Sequence, residues 1–153
     1  MHTDLLQLTA DLIAVPSESF AEGPLTDLLE ADLRTCAHLE VTRVGDNVVA
    51  RTMLGRPVRV VLAGHTDTVP ANGNSTPRID GEVLWGLGSS DMKAGLAVMW
   101  ELARRHSAPA VDVTYVFYAR EEVAAVHSGL GEMFELRPDL LAGDVAILGE
   151  PTD

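Results

Sequence analysis

Val58-Arg59-Val60-Val61-Leu62-Ala63-Gly64-His65-Thr66-Asp67 is the stretch that decides the fold. Its first half is a short β-rich apolar run, which reads as a strand buried on both faces. Its second half turns abruptly polar and ends in a histidine and an acid. The same change of character recurs twice downstream. Val111 to Ala119 (VDVTYVFYA), the strongest strand, runs into Arg120-Glu121-Glu122, and Asp144 to Leu148 runs into Gly149-Glu150-Pro151. Between the first two, Asp91 opens a helical pattern with Leu96, Met99, Trp100 and Ala103 on one side. Arg104-Arg105-His106 occupy its last turn, where basic residues suit the helix dipole. Helices alternating with apolar strands predict an α/β fold with a mostly parallel sheet.

Outward from that centre, Leu5, Leu8, Leu12 and Val15 recur at helical spacing until Pro16 ends the run. Residues 17–23 form a turn-rich break. Pro24 suits a first helical turn, and that second helix is expected to reach about Leu39. Glu40–Val44 and Asn47–Thr52, joined by Gly45-Asp46, read as a hairpin. Val69 to Pro77 is a polar loop, and Glu82–Trp85 is a short strand feeding Gly86-Leu87-Gly88-Ser89-Ser90. Cys36 continues the stripe Leu25, Leu28, Leu29, Leu33 and reads as a small buried hydrophobe.

The bulk properties narrow the function classes. The chain has 153 residues, 46% apolar and 22% charged, with a formal net charge of −12. That apolar content excludes a disordered acidic tail, and 13 glycines without period exclude collagen. So acidic a surface repels nucleic-acid phosphates and anionic membranes, so neither is an expected partner. No apolar run reaches the ~18–20 residues of a membrane span. Met1-His2-Thr3-Asp4 does not begin a signal peptide, and a lone cysteine cannot form an internal disulfide, so a cytoplasmic location is expected.

In an open α/β sheet ligands bind beyond the carboxyl ends of the strands. His65 with Asp67, Glu121 with Glu122, and Glu150 all follow strands, and Asp91 stands at a helix start. Gathered in one crevice, these carboxylates would repel one another unless a divalent cation lay among them. Imidazole with carboxylates and no thiolate suits zinc, with cobalt or manganese also possible. Two residues apart on extended chain, Asp67 can accept from the imidazole nitrogen that faces away from the metal. Asp91, held by a tight glycine turn, can bridge two ions, and it can also serve as the N-cap of its helix. Of the adjacent Glu121 and Glu122, one can bind metal while the other takes a proton from an activated water. His2, His38, His106 and His127 lack such settings and read as surface or core histidines. Gly86-Leu87-Gly88-Ser89-Ser90-Asp91 competes as a dinucleotide loop, but Asp91 replaces its third glycine and would face the pyrophosphate.

Gly64-His65-Thr66-Asp67-Thr68-Val69-Pro70, Gly88-Ser89-Ser90-Asp91-Met92-Lys93-Ala94-Gly95, Glu121-Glu122 and Gly149-Glu150-Pro151-Thr152 together resemble the M20 metallopeptidase family, and most of all its succinyl-diaminopimelate desuccinylase branch. The resemblance implies a three-layer zinc-exopeptidase-like domain and an amidohydrolase holding two zinc ions. It implies that His65 binds the first zinc and Asp67 orients it. Asp91 would bridge the two ions, with a following peptide bond that is often cis. Glu121 would be the general base and acid, Glu122 would bind the second zinc and Glu150 the first. It implies an N-acyl amino-acid substrate, with related deacylases or aminopeptidases and a non-catalytic metal-binding module as alternatives. Residues 1–153 correspond to the N-terminal part of the catalytic domain. The family's lid and dimerisation domain, the basis of a homodimer, and its second zinc-binding histidine do not appear. The expectation is one ion held well, a second held weakly, and poor hydrolysis.

Overall fold

The computed structural model describes residues 4–152; His2 lies outside them. The helices are α1 (Leu5–Ile13), α2 (Gly23–Leu33), α3 (Ala94–Arg105), α4 (Gly129–Leu136) and α5 (Pro138–Leu141). The strands are β1 (Glu40–Val44), β2 (Asn47–Arg51), β3 (Arg59–His65), β4 (Arg78–Asp80), β5 (Val83–Trp85), β6 (Asp112–Tyr118) and β7 (Val145–Leu148). Five strands form one sheet in the order β1-β2-β6-β3-β7, and β4 and β5 form a separate hairpin. β2 pairs antiparallel with β1 and β6, whereas β3 pairs parallel with β6 and β7. The sheet is therefore mixed in pairing, although only β2 runs against the other four strands.

Side-chain alternation along the strands divides the core in two. Val48, Ala50, Val113, Tyr115 and Phe117 pack with Leu12, Leu25, Leu29, Leu33, Leu96 and Trp100 of α1 to α3. Val49, Val61, Ala63, Val116 and Tyr118 pack with Met133 and Leu140 of α4 and α5. Helices thus cover both faces, giving the expected three layers. β6 lies between them with all seven residues buried, and its one acid, Asp112, is satisfied by the Thr52 hydroxyl and the Leu54 and Arg56 N–H groups.

Several local expectations are corrected. α2 stops at Leu33 rather than near Leu39, because the Thr35 hydroxyl donates to the Asp32 carbonyl and Cys36 N–H turns back to Leu33 O. Cys36 therefore sits beyond the helix and is only half-buried. β4 was not foreseen in the polar stretch before β5. α4 was hidden by Gly129 and Gly131, yet its N-terminus is capped by Ser128 Oγ accepting from Gly131 N–H. Asp91 does not cap a helix. It is extended (φ −120°, ψ 99°), its peptide bond to Met92 is cis, and regular helix begins at Ala94. Gly88, at φ +71°, makes the turn, and Lys93 N–H closes it on the Gly88 carbonyl.

Candidate metal centre

The three strands β6, β3 and β7 lie side by side and run the same way, so their carboxyl ends share one edge. His65 ends β3, in register with Tyr118 at the end of β6. Gly149 N–H donates to Ala63 O, which carries the β3–β7 ladder one step past β7 and sets Glu150 beside His65. The turn after β6 supplies Glu121 and Glu122. The loop before α3 brings Asp91 over the same point. All six predicted site residues meet here.

His65 is 1% exposed. Its Nδ1 lies 2.9 Å from the Asp67 carbonyl oxygen and 3.4 Å from Asp67 Oδ1. A carbonyl only accepts, so Nδ1 carries a proton. Nε2 then faces Asp91 Oδ1 at 2.9 Å and Glu150 Oε1 at 3.6 Å, the orientation a metal-binding imidazole needs. Burial alone would lower the imidazole's pKa. The hydrogen bonds to Asp67 and Asp91 and the charge of Glu150 outweigh it and push it up to about 9.

The Asp67 carboxylate does more than face the imidazole. Oδ1 accepts from Glu121 N–H at 2.9 Å, and Oδ2 accepts from Glu122 N–H at 3.0 Å and from Ser19 Oγ at 2.7 Å. Burial would raise this carboxyl, but His65 and these donors hold it down at about 2. A residue that sequence reasoning missed completes the turn. Glu22, fully buried, accepts from Arg120 N–H at 3.1 Å through Oε1, while its Oε2 meets no hydrogen-bond partner among the described residues. Burial first, and the Asp67 charge with it, raises the Glu22 carboxyl. Three successive N–H groups, from Arg120 to Glu122, are thus held by two buried carboxyl groups, with Arg120 at φ +60°. An acid in a turn before Pro24 carries no local sign of a partner 98 residues away.

Glu122 and Glu150 are both raised, chiefly by burial; the negative charge of Asp91 adds to it, against the opposing pull of His65. The Tyr118 hydroxyl points at Glu150 Oε1 at 3.5 Å. Ligand atoms of His65, Asp91 and Glu150 lie within 4.8 Å of one another, and so do those of His65, Glu121 and Glu122. Imidazole plus carboxylates is a hard, oxygen-rich donor set that a divalent ion suits. One imidazole faces the carboxylates of Asp91 and Glu150 with Glu121 and Glu122 close by, so the cluster calls for positive charge at this point. The residues fit a metal.

Comparison with known proteins agrees. The model of Peptidase family M20/M25/M40 matches residues 61–153. The chain belongs to the M20 peptidase family. A Mycobacterium tuberculosis protein that carries the name of succinyl-diaminopimelate desuccinylase DapE is 49% identical over 99% of this chain and 43% of its own length. A succinyl-diaminopimelate desuccinylase of Corynebacterium glutamicum is 41% identical over 97% of this chain and 42% of its own. The chain therefore spans about two fifths of the length of these curated relatives. Human carnosine dipeptidase 1 superposes with a TM-score of 0.82 at 16% identity, over 98% of this chain and 39% of its own. A dinuclear metal-binding M20 peptidase of Bacillus subtilis superposes with a TM-score of 0.62 at 22% identity, over 94% of this chain and 41% of its own. These two establish the M20 fold.

Within this M20 chain, Asp91 and Glu122 line one cleft of about 450 Å³ with Thr68, Val69, Gly88 and Ser89. A cavity of about 530 Å³, between Phe20, Arg120, His127 and Glu132, contains none of the six residues. His127 stacks edge-on against Phe20 at 5.4 Å, and His38 Nε2 lies 2.8 Å from the Ala103 carbonyl oxygen. Neither they nor His106 belong to a ligand group among the described residues. In the Gly86–Asp91 loop the Lys93 N–H is taken by the Gly88 carbonyl, and the Asp91 carboxylate faces His65. An acid in that place would repel a pyrophosphate.

Proposed function

We propose that this chain is the N-terminal part of the catalytic domain of a zinc-dependent amidohydrolase. Its substrate would be N-succinyl-LL-2,6-diaminopimelate, cleaved to succinate and LL-2,6-diaminopimelate for lysine and cell-wall precursor synthesis in the cytoplasm. The observation that carries the chemistry is the convergence of His65, Asp91 and Glu150 within 4.8 Å beside Glu121 and Glu122. The substrate assignment rests on the names of relatives 49% and 41% identical to it. Among the described residues no helix is long and apolar enough to cross a membrane.

His65, Asp91 and Glu150 hold the first zinc in this reading, and Glu122 with Asp91 the second. When bound, the ions polarise the amide carbonyl and acidify a water. Glu121 takes a proton from the attacking water and hands it to the departing amine nitrogen. Asp67 fixes Glu121 and Glu122 through their backbone N–H groups and keeps the His65 Nε2 turned to the ligands. One imidazole cannot serve two ions, so the first ion is held well and the second by carboxylates alone.

The test is a metal titration with a substrate panel. Zinc should bind once tightly and once weakly, and Glu121→Gln should keep the tight ion while losing all turnover. N-succinyl-diaminopimelate should be preferred over N-acetylornithine and dipeptides once hydrolysis is measurable. A Glu121→Gln chain stripped of metal would exchange the two glutamate roles, and preference for an acetyl or peptide substrate would replace the desuccinylase assignment.

A further inference from the structure

We propose that Met92 is the positioning residue on which the three segments bearing His65, Asp91 and Glu150 are set, and this inference rests on the metal-site reading above. The side chain is fully buried. Its methyl group, Cε, sits in a cradle of glycines. A Cβ on Gly64 would overlap it, and a Cβ on Gly95 or Gly149 would stand 3.0 Å from it. Two of those glycines immediately precede candidate ligands, His65 and Glu150, and Met92 itself immediately follows the third, Asp91. One thioether therefore touches the backbone next to every member of the first ligand group.

Its sulfur has a second task. The β3–β7 pairing stops at Ala63 and Leu148, so no strand residue remains to accept the His65 N–H. Met92 Sδ takes it at 3.2 Å. An unbranched, polarizable side chain can reach this point and accept there, whereas leucine of similar volume has no acceptor and valine no reach. Removing the residue frees three backbones to close on the void, which moves ligands rather than merely loosening a core. Outer contacts of this kind are worth about 10–100-fold in metal affinity.

The experiment compares wild type, Met92→Leu, Met92→Ala, Gly149→Ala, the Gly149→Ala/Met92→Ala double variant, and Met133→Ala. Met133 is a fully buried methionine of the other core and serves as the control. Cobalt(II) affinity by chelator competition, the visible cobalt spectrum and urea stability are read for each. Met92→Ala should weaken the first ion at least about 10-fold and alter the spectrum, with Met92→Leu in between. Met133→Ala should lose stability while leaving affinity and spectrum unchanged. Gly149→Ala should weaken binding in the wild-type background and have no further effect once Met92 is alanine. Equal cobalt affinity and spectrum in Met92→Ala and Met133→Ala, or an unchanged Gly149→Ala effect in both backgrounds, would overturn the Met92 assignment. A wild-type chain that holds no cobalt would overturn the metal-site reading and this inference with it.

Discussion

Replacing Asp67 by asparagine keeps the shape of the side chain and removes one of its two acceptor oxygens. With the amide oxygen at the Oδ1 position, Glu121 N–H keeps its partner, but the new NH₂ confronts Glu122 N–H at 3.0 Å. Ser19 can rotate to accept; the Glu122 amide cannot. A buried hydrogen bond to a charged group is worth about 1.5–3 kcal/mol. The titration gives a second route to the magnitude. A carboxyl moved from 3.8 to about 2 contributes about 2.5 kcal/mol to folding, and at 1% exposure solvent screening takes little of that away. Because this pKa is depressed in the folded state, the contribution is complete above about pH 4 and disappears as pH falls through 2. Urea melts of the metal-free Asp67→Asn chain at pH 7 should therefore show a loss of about 2–3 kcal/mol with an unchanged m-value. Between pH 4 and 2 the wild type should decline toward the variant. An unfolding free energy within about 0.5 kcal/mol of wild type at pH 7, or parallel pH curves, would refute the view that Asp67 holds the Glu121–Glu122 turn.

The His65 imidazole, at about 9 in the folded chain, should give the metal-free protein a stability increment that is complete below pH 6.5 and lost as pH rises through 9. His65→Gln should flatten that slope. Because the imidazole is protonated at pH 7, zinc binding should release a proton, which calorimetry in buffers of different ionisation enthalpy would detect. Lys93 donates to the Leu12 and Val15 carbonyls at the end of α1, and burial lowers its ammonium to about 8. The unfolded chain then binds more protons between pH 8 and 10.5, so stability should rise across that window, and Lys93→Met should abolish the rise in urea melts. A Cβ on Gly129 would run into Asn47 Oδ1, which accepts from Ala119 N–H at the end of β6. Gly129→Ala should cost about 1–3 kcal/mol in the same melts, whereas Gly131→Ala, with open surroundings, should cost well under 1 kcal/mol.

What could be read in advance followed from local chemistry. Runs rich in β-branched and aromatic residues, such as Val111–Ala119, announce strands because those side chains suit a pleated, buried surface. His65, Glu121 and Glu150 were visible because each interrupts such a run at its exit. The three-layer architecture follows from the alternation of those runs with helices. What escaped was set by distant partners or by competition among weak local preferences. Glu22 and Ser19 gain their meaning only when the turn after β6 and the Asp67 carboxylate arrive from 48 to 98 residues away. Asp91 looked like a cap because acids favour that position, but the Gly88 turn and the Lys93 anchor on α1 pull the chain out of helical geometry first. Gly129 and Gly131 disguised α4, and Thr35 ended α2 early by taking a helix carbonyl for its own hydroxyl.

In this chain β7 forms one edge of the sheet. Among the described residues β3 alone pairs with it, and Val145, Ile147 and Leu148 are each more than half exposed. A four-residue ladder so placed frays at a fraction of the global unfolding energy, and each opening carries Glu150 away from His65. An ion shared among His65, Asp91 and Glu150 must give up its glutamate before the strand can peel. With the ion bound only to the closed form, saturation at 100 times the dissociation constant would raise the free energy of opening by about 2.7 kcal/mol. The exchange of β7 amide protons with solvent becomes a gauge of occupancy some residues away from the ion itself.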